Sequence, residues 1–377
     1  MITRLLENIV KSDLFKGKTL IIYGARQVGK TTLVEKILRD FGDEGRYLNC
    51  EILSVEQNLK DAEPEKLKAF FGNYKLLVLD EAQNIPNIGK ILKVISDSIK
   101  DVQIIATGSS SFELASKTAE PMTGRVIHHI LYPLSTLEIK NQKDWLFVDS
   151  NLEKLLRFGS YPEVYTSSDE DAIKKLTEIS SSYLFKDLFK FEGIKKSSLF
   201  KNLVIMLALQ LGREVTYNEL ALKLGVSHLT IQKYIDLLEQ SFVVFKLNSF
   251  SRNIRNEITK SFKIYFYDNG IRNALINNFN SLSLRNDVGA LWENFCISER
   301  IKSNAYLKRN ANIYFWRTYD QKEIDYVEES SGRITGYEIK YSEKQKIKIP
   351  KIFSETYNAE VHKIDKNNYW KFFDIAI

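Results

Sequence analysis

The chain has 377 residues, a formal net charge of +6 and a pI near 8.9. Its length suits two or three domains. Apolar residues at 44% and charged residues at 27% exclude a mostly disordered chain, and 17 Gly with 6 Pro exclude collagen-like and low-complexity classes. No run of about 18 apolar residues occurs, so no transmembrane helix and no membrane partner are expected. Acidic residues appear by Glu7, too early for a signal peptide. Cys50 and Cys296 are far apart and fit no metal spacing, which points to a reducing, cytoplasmic location.

In chain order, Thr19 to Tyr23 is a short apolar, β-branched run of the kind buried in a parallel sheet. Further strands are predicted at 46–49, 75–79 and 102–107. Helical periodicity fills 32–39, 64–71 and 88–100. Strands alternating with helices imply βαβ units and a sheet covered on both faces. From 145 to 193 the pattern is mostly helical, with a turn at Gly159-Ser160-Tyr161-Pro162-Glu163. From 195 to 267 the helices shorten and end in strand-like runs at 242–247 and 262–267. The last hundred residues mix a helix at 289–302 with strands at 311–316, 323–327 and 334–339.

Gly24-Ala25-Arg26-Gln27-Val28-Gly29-Lys30-Thr31 matches G-x-x-x-x-G-K-[ST] in full, after a predicted strand and before a predicted helix. Glycines let successive N–H groups curl toward phosphate oxygens, and the helix N-terminus adds positive dipole. Residues 24–31 with Thr32 are therefore expected to hold ATP. Lys30 would reach the β/γ-phosphates, and the Thr31 hydroxyl would ligate Mg²⁺. Leu76 to Leu79 then deliver Asp80-Glu81 at the carboxyl end of a buried strand. Asp80 would hold Mg²⁺ through water and Glu81 would polarise the attacking water as general base. Thr107-Gly108-Ser109-Ser110 ends the next strand, where a polar residue such as Ser109 could sense the γ-phosphate and orient the water; an ordinary strand-to-loop turn is the alternative. Arg125, in Met122-Thr123-Gly124-Arg125, could act as an arginine finger in a neighbouring subunit, which would require a homo-oligomer. An intradomain surface Arg is the alternative.

These runs, with Leu79-Asp80-Glu81-Ala82-Gln83, Tyr132-Pro133-Leu134-Ser135 and the 159–163 turn, resemble those of prokaryotic AAA+ superfamily ATPases. The resemblance covers nearly the whole chain and is most specific in its first half. It implies ATP binding and hydrolysis, a winged-helix segment, and a PD-(D/E)XK nuclease-like end.

Between Lys186 and Lys263 there are 13 Lys/Arg against 7 Asp/Glu, so the whole charge excess of the chain sits in one middle segment. That placement points to DNA as a partner. Within it, Tyr217 to Lys223 reads as a helix, Gly225 as a left-handed turn and Ser227 as the cap of a second helix. Ile231, Ile235 and Leu238 give that helix one buried face. His228, Thr230, Gln232 and Lys233 would face bases or phosphates, and Arg252, Arg255 and Lys260 would form a wing on the backbone. Winged helices also serve as protein-docking modules.

Near the end, Asp325 lies on an alternating strand and Glu338-Ile339-Lys340 on the next, after a turn at Gly332. Period-2 geometry puts Glu338 and Lys340 on one face. Asp, a hairpin and then Glu-x-Lys is the PD-(D/E)XK pattern. Asp325 and Glu338, with Glu293 from the preceding helix, could hold a divalent metal, while Lys340 positions or deprotonates a water. The alternative is acids that merely pair with Lys or Arg.

The expected fold is α/β. A P-loop NTPase parallel-sheet domain (1–140) leads into a helical connection (141–194) and a winged-helix segment (195–267). A C-terminal α/β nuclease-like domain (268–377) follows. The expected function is a Mg²⁺-dependent AAA+ ATPase that binds DNA, with cleavage through the C-terminal nuclease-like domain left open. The alternatives are a nucleotide-driven protein switch that cleaves nothing and a nonenzymatic DNA-binding regulator.

Overall fold

The computed structural model describes residues 2–60, 63–109, 122–183, 197–251, 261–318, 320 and 322–374. The chain divides into two compact units. One holds residues 1–133 with 240–242, and the other holds 134–239 with 243–377.

The first unit opens with α1 (Leu5–Asp13), then β1 (Thr19–Tyr23) and α2 (Lys30–Arg39). Next come β2 (Gly45–Asn49), α3 (Leu53–Lys60), α4 (Pro64–Phe71) and β3 (Leu76–Asp80). It closes with α5 (Ile88–Ser98), β4 (Gln103–Gly108) and β5 (Val126–Ile130). The strands form one sheet in the order β2-β3-β4-β1-β5, with every pair parallel. Every residue of β1, β3 and β4 is buried, which is why their centres read as apolar runs rather than alternating ones. Because β4 lies between β1 and β3, the end of β4 sits between the ends of the other two. That places Thr107 and Ser109 beside both the glycine-rich loop and the carboxylate pair.

The second unit begins with short helices: α6 (Thr136–Gln142), α7 (Trp145–Ser150), α8 (Leu152–Phe158), α9 (Pro162–Tyr165) and α10 (Asp169–Glu178). They are followed by α11 (Ser197–Leu209), β6 (Glu214–Val215), α12 (Tyr217–Leu224), α13 (His228–Gln240), β7 (Val244–Ser249) and β8 (Phe262–Phe266). Then come α14 (Asn269–Leu275), α15 (Val288–Tyr306), β9 (Asn312–Arg317), β10 (Glu323–Ser330) and β11 (Arg333–Ile339). The last elements are α16 (Lys351–Tyr357), β12 (Glu360–Ile364) and α17 (Tyr369–Asp374).

One sheet in the order β12-β11-β10-β9-β7-β8-β6 runs through this unit. The sequence pattern changes character near residue 268, yet the sheet does not stop there. β7 pairs in parallel with β9 through Asn248 and Tyr314. Pairing between strands so far apart in sequence leaves no local signal.

The turn at 159–163 is fixed by a buried carboxylate. Asp268 accepts from the Ser160 N–H at 2.7 Å and the Ile271 N–H at 3.2 Å. A Cβ at Gly159, whose φ is +71°, would lie 1.9 Å from that carboxylate, so no side chain fits.

Candidate nucleotide site and acidic cluster

The glycine-rich loop joins β1 to α2. A Cβ on Gly24 would lie 2.2 Å from the Leu131 carbonyl oxygen, and its φ is +157°; Gly29 caps α2 at φ +93°. Both glycines are therefore required by the backbone path. Arg4 braces the loop from behind, donating to the Val28 carbonyl at 2.7 Å and the Tyr132 carbonyl at 2.6 Å. Lys30 is buried, and its Nζ donates to the Gly24 and Ala25 carbonyls at 3.0 and 3.1 Å. That holds its ammonium over the loop. Ala25, Arg26, Gln27 and Val28 take their places along the same turn, with Gln27 also at positive φ, and Thr32 lies in the first turn of α2.

Asp80 ends β3. The Thr31 hydroxyl donates to its Oδ2 at 2.8 Å, the Tyr47 hydroxyl donates to the same oxygen at 2.5 Å, and Thr107 donates to Oδ1. Burial and the Asp80 charge push the Tyr47 hydroxyl well above its ordinary pKa, so it stays a proton donor. Glu81 follows in the left-handed region at φ +53°, with its N–H on the Thr107 hydroxyl at 3.0 Å. Gln83 donates to the Glu81 carboxylate and, at 3.3 Å, to the Ser109 hydroxyl. The loop, Thr31, Asp80, Glu81 and Ser109 thus form one site. The Thr31 hydroxyl and Asp80 carboxylate are hard oxygen donors that suit Mg²⁺, and the Lys30 ammonium suits phosphate.

Arg125 is placed elsewhere. It precedes β5, which runs parallel to β1, so it lies at the amino end of the strands while the loop and Asp80 lie at the carboxyl end. Its Nε pairs with Asp97 at 2.7 Å. It is not part of its own unit's nucleotide site. Ser110 lies outside the described residues.

In the second unit, a β-bulge between Ile324 and Val327 of β10 falls at Asp325. Bulges re-aim side chains. Asp325 Oδ2 accepts from the Ile339 N–H at 2.8 Å and from Lys340 Nζ at 2.7 Å, and the same Nζ lies 3.0 Å from Glu338 Oε2. Burial first, and then the Asp325 charge, push the Glu338 carboxyl up to about 7. Burial works against the Lys340 ammonium, but the two acids outweigh it and raise its pKa.

Glu293 on α15 is engaged differently. It accepts from the Tyr265 hydroxyl at 2.6 Å and sits 3.4 Å from Lys263, which also pairs with Glu323 at 2.5 Å. Burial raises the Glu293 pKa. The Asp325, Glu338 and Lys340 placement expected from sequence is present. The expected three-acid metal set with Glu293 is not. Among the described residues no group of three or more His, Cys, Asp or Glu is placed to hold a metal ion. The physical reason is that lysines occupy the spaces between the acids.

α12 and α13 meet at Gly225, which is left-handed at φ +67°, and the Ser227 hydroxyl accepts from the Thr230 N–H. Ile231, Ile235 and Leu238 are buried, while His228, Gln232 and Lys233 are exposed. Thr230 is half-buried. Several of the segment's lysines are engaged, Lys263 by acids from outside the 186–263 stretch. Lys246 pairs with Asp236 and Glu239, Lys223 with Glu219, and Lys263 with Glu293 and Glu323. Arg252, Arg255 and Lys260 lie outside the described residues.

A five-stranded parallel sheet with this strand order, a glycine-rich phosphate loop and an Asp-Glu pair, the Asp buried and the Glu half-buried, defines a P-loop NTPase domain. Residues 16–140 match the AAA domain family. Residues 149–282 and 288–369 match two domains of unknown function, DUF8612 and DUF4143. An uncharacterized protein of Mycobacterium tuberculosis is 29% identical over 335 residues, covering 88% of this chain and 72% of its own. One of Haemophilus influenzae is 25% identical over 373 residues, covering 93% and 87%. The Walker-type ATPase PABY2304 of Pyrococcus abyssi shares the fold with a TM-score of 0.51 at 14% identity, covering 73% of this chain and 96% of that one. Site geometry and matches together support an AAA-type P-loop ATPase domain that binds ATP. Among the described residues no helix is long and apolar enough to cross a membrane.

Proposed function

We propose that the chain is a Mg²⁺-dependent ATP hydrolase whose second half binds DNA, acting in the cytoplasm. The observation that carries the first part is the 2.8 Å bond between the Thr31 hydroxyl and Asp80, with Glu81 next in the chain. Lys30 binds the β/γ-phosphates, and Thr31 and Asp80 hold Mg²⁺. The ion neutralises phosphate charge when bound. Glu81 accepts the proton of the attacking water, and Gln83 links its carboxylate to Ser109, which senses the γ-phosphate. Arg125 serves the site of a neighbouring copy as an arginine finger.

DNA binding is supported by the α12–α13 pair, read as the core of a winged helix, with His228, Gln232 and Lys233 on its exposed face. Cleavage of DNA is the second reading. The adjacency of Asp325, Glu338 and Lys340 favours it. The engagement of both acids by Lys340, and of Glu293 by Tyr265 and Lys263, favours a cluster that does not cut. One experiment separates these outcomes: ATP hydrolysis with and without plasmid DNA, with plasmid integrity scored in the same tube. Hydrolysis stimulated by DNA that stays supercoiled is expected. No hydrolysis in either condition would overturn the proposal.

A further inference from the structure

Asp80 is more heavily supported than its place after an apolar strand foretold. Its carboxylate accepts three hydroxyl donors, from Thr31 on α2, Tyr47 on β2 and Thr107 on β4. A carboxylate offers about four lone-pair sites, so three of them are occupied and its plane is fixed. Two of the donors are explained by their positions: Thr31 belongs to the phosphate loop, and Thr107 also holds the Glu81 N–H. Tyr47 has neither role. β2 is the edge strand of the sheet and pairs with β3 so that Asn49 stands beside Asp80. From two residues earlier, the Tyr47 hydroxyl reaches Oδ2, the same oxygen that meets Thr31. Its residue is only half-buried, so the ring is not a core filler whose hydroxyl happens to find a partner.

We propose that Tyr47 is a positioning residue for the magnesium site, its hydroxyl fixing the Asp80 oxygen that faces Thr31. The proposal rests on the reading of Thr31 and Asp80 as the ion's partners. Outer partners of this kind orient the donors that touch a metal, and their loss typically costs about 10- to 100-fold in metal affinity.

Tyr47→Phe removes the hydroxyl and keeps the ring. Binding of a fluorescent, nonhydrolysable ATP analogue is titrated in EDTA and then against Mg²⁺. The variant should bind the analogue in EDTA as the wild type does and melt at the same temperature without nucleotide. The Mg²⁺ concentration giving half the enhancement of binding should rise about tenfold or more. Excess Mg²⁺ should restore hydrolysis, which a merely structural defect would not permit. Asp80→Asn is run beside it. If Mg²⁺ still enhances binding in Asp80→Asn, the parent reading of the site fails. If Asp80→Asn loses the enhancement while Tyr47→Phe titrates like the wild type, the role of Tyr47 is overturned and the parent reading stands.

Discussion

The Thr31 hydroxyl donates to the Asp80 carboxylate across 2.8 Å, joining residues 49 positions apart in the chain. One belongs to the phosphate loop and the other ends a strand two places away in the sheet. Their meeting turns two separate motifs into one site. Nucleotide binding and water activation should then separate by mutation. Lys30→Ala should lose ATP binding, because the ammonium above the loop is gone. Glu81→Gln should bind ATP normally and hydrolyse it poorly, because only proton acceptance is removed. Isothermal titration and phosphate release measure the two halves. Full turnover by Glu81→Gln would place the base elsewhere.

Gly24 offers a test of the loop's backbone path. An added methyl group would meet the Leu131 carbonyl at 2.2 Å, against backbone that cannot swing aside. Gly24→Ala should displace the loop from Leu131 at a cost of roughly 1–3 kcal/mol, the usual range for local backbone strain. ATP affinity should fall with it, while the far-ultraviolet circular dichroism spectrum persists. Wild-type affinity in this variant would show that the loop accommodates the group.

The motif residues of the nucleotide site were legible because each lies in a short contiguous pattern. Gly24 to Thr31 and Leu76 to Glu81 carry their chemistry locally. Arg4 and Tyr47 were not legible. Arg4 reaches Tyr132 across 128 positions, and Tyr47 reaches Asp80 only because β2 lies beside β3. In the second unit, period-2 reading put Glu338 and Lys340 on one face and the hairpin brought them to Asp325. The same reading missed Lys263 and Tyr265, which claim Glu293 from a strand more than fifty residues upstream of Asp325. The charge count over 186–263 also carries no information on pairing: Lys246 meets Glu239, and Lys263 meets Glu323 from outside the segment.

Arg125 stands at the opposite end of the sheet from its own loop, held by Asp97 at 2.7 Å. A catalytic role therefore requires a second copy. Arg125→Ala should bind ATP normally and hydrolyse it on the order of 10³-fold more slowly, as with other arginine fingers. Wild-type activity per subunit should rise with protein concentration. Activity that stays flat on dilution and survives the substitution would remove the idea.

Glu338 carries a pH dependence whose sign follows from its environment. Its carboxyl titrates near 4.5 when free and at about 7 in the folded chain, raised by burial and then by Asp325. Between those values the folded state keeps a proton that the unfolded state has released. Its contribution to stability is therefore fully present below about 4.5 and is lost as pH rises toward 7. Glu338→Gln should remove this part of the slope, leaving urea midpoints less sensitive to pH across that window. An unchanged slope would mean that the proton resides elsewhere in the cluster.

The acid–lysine cluster yields the last prediction. Lys340 bonds Asp325 at 2.7 Å and lies 3.0 Å from Glu338, while Glu293 is held by Tyr265 and Lys263. A divalent ion would have to displace an ammonium already satisfied by both acids. The wild-type protein should therefore leave supercoiled plasmid intact in Mg²⁺ or Mn²⁺ while it hydrolyses ATP. The cluster should instead register in stability. Asp325→Ala removes the acceptor of the Ile339 N–H and one partner of Lys340. A buried donor left unsatisfied costs about 1–3 kcal/mol, and more when a charge is involved. The loss should appear as a lower urea midpoint for the second unit, with ATP hydrolysis by Lys30 and Glu81 retained. Nicking that EDTA stops and Asp325→Ala abolishes would make the cluster a metal-dependent nuclease centre and overturn this reading.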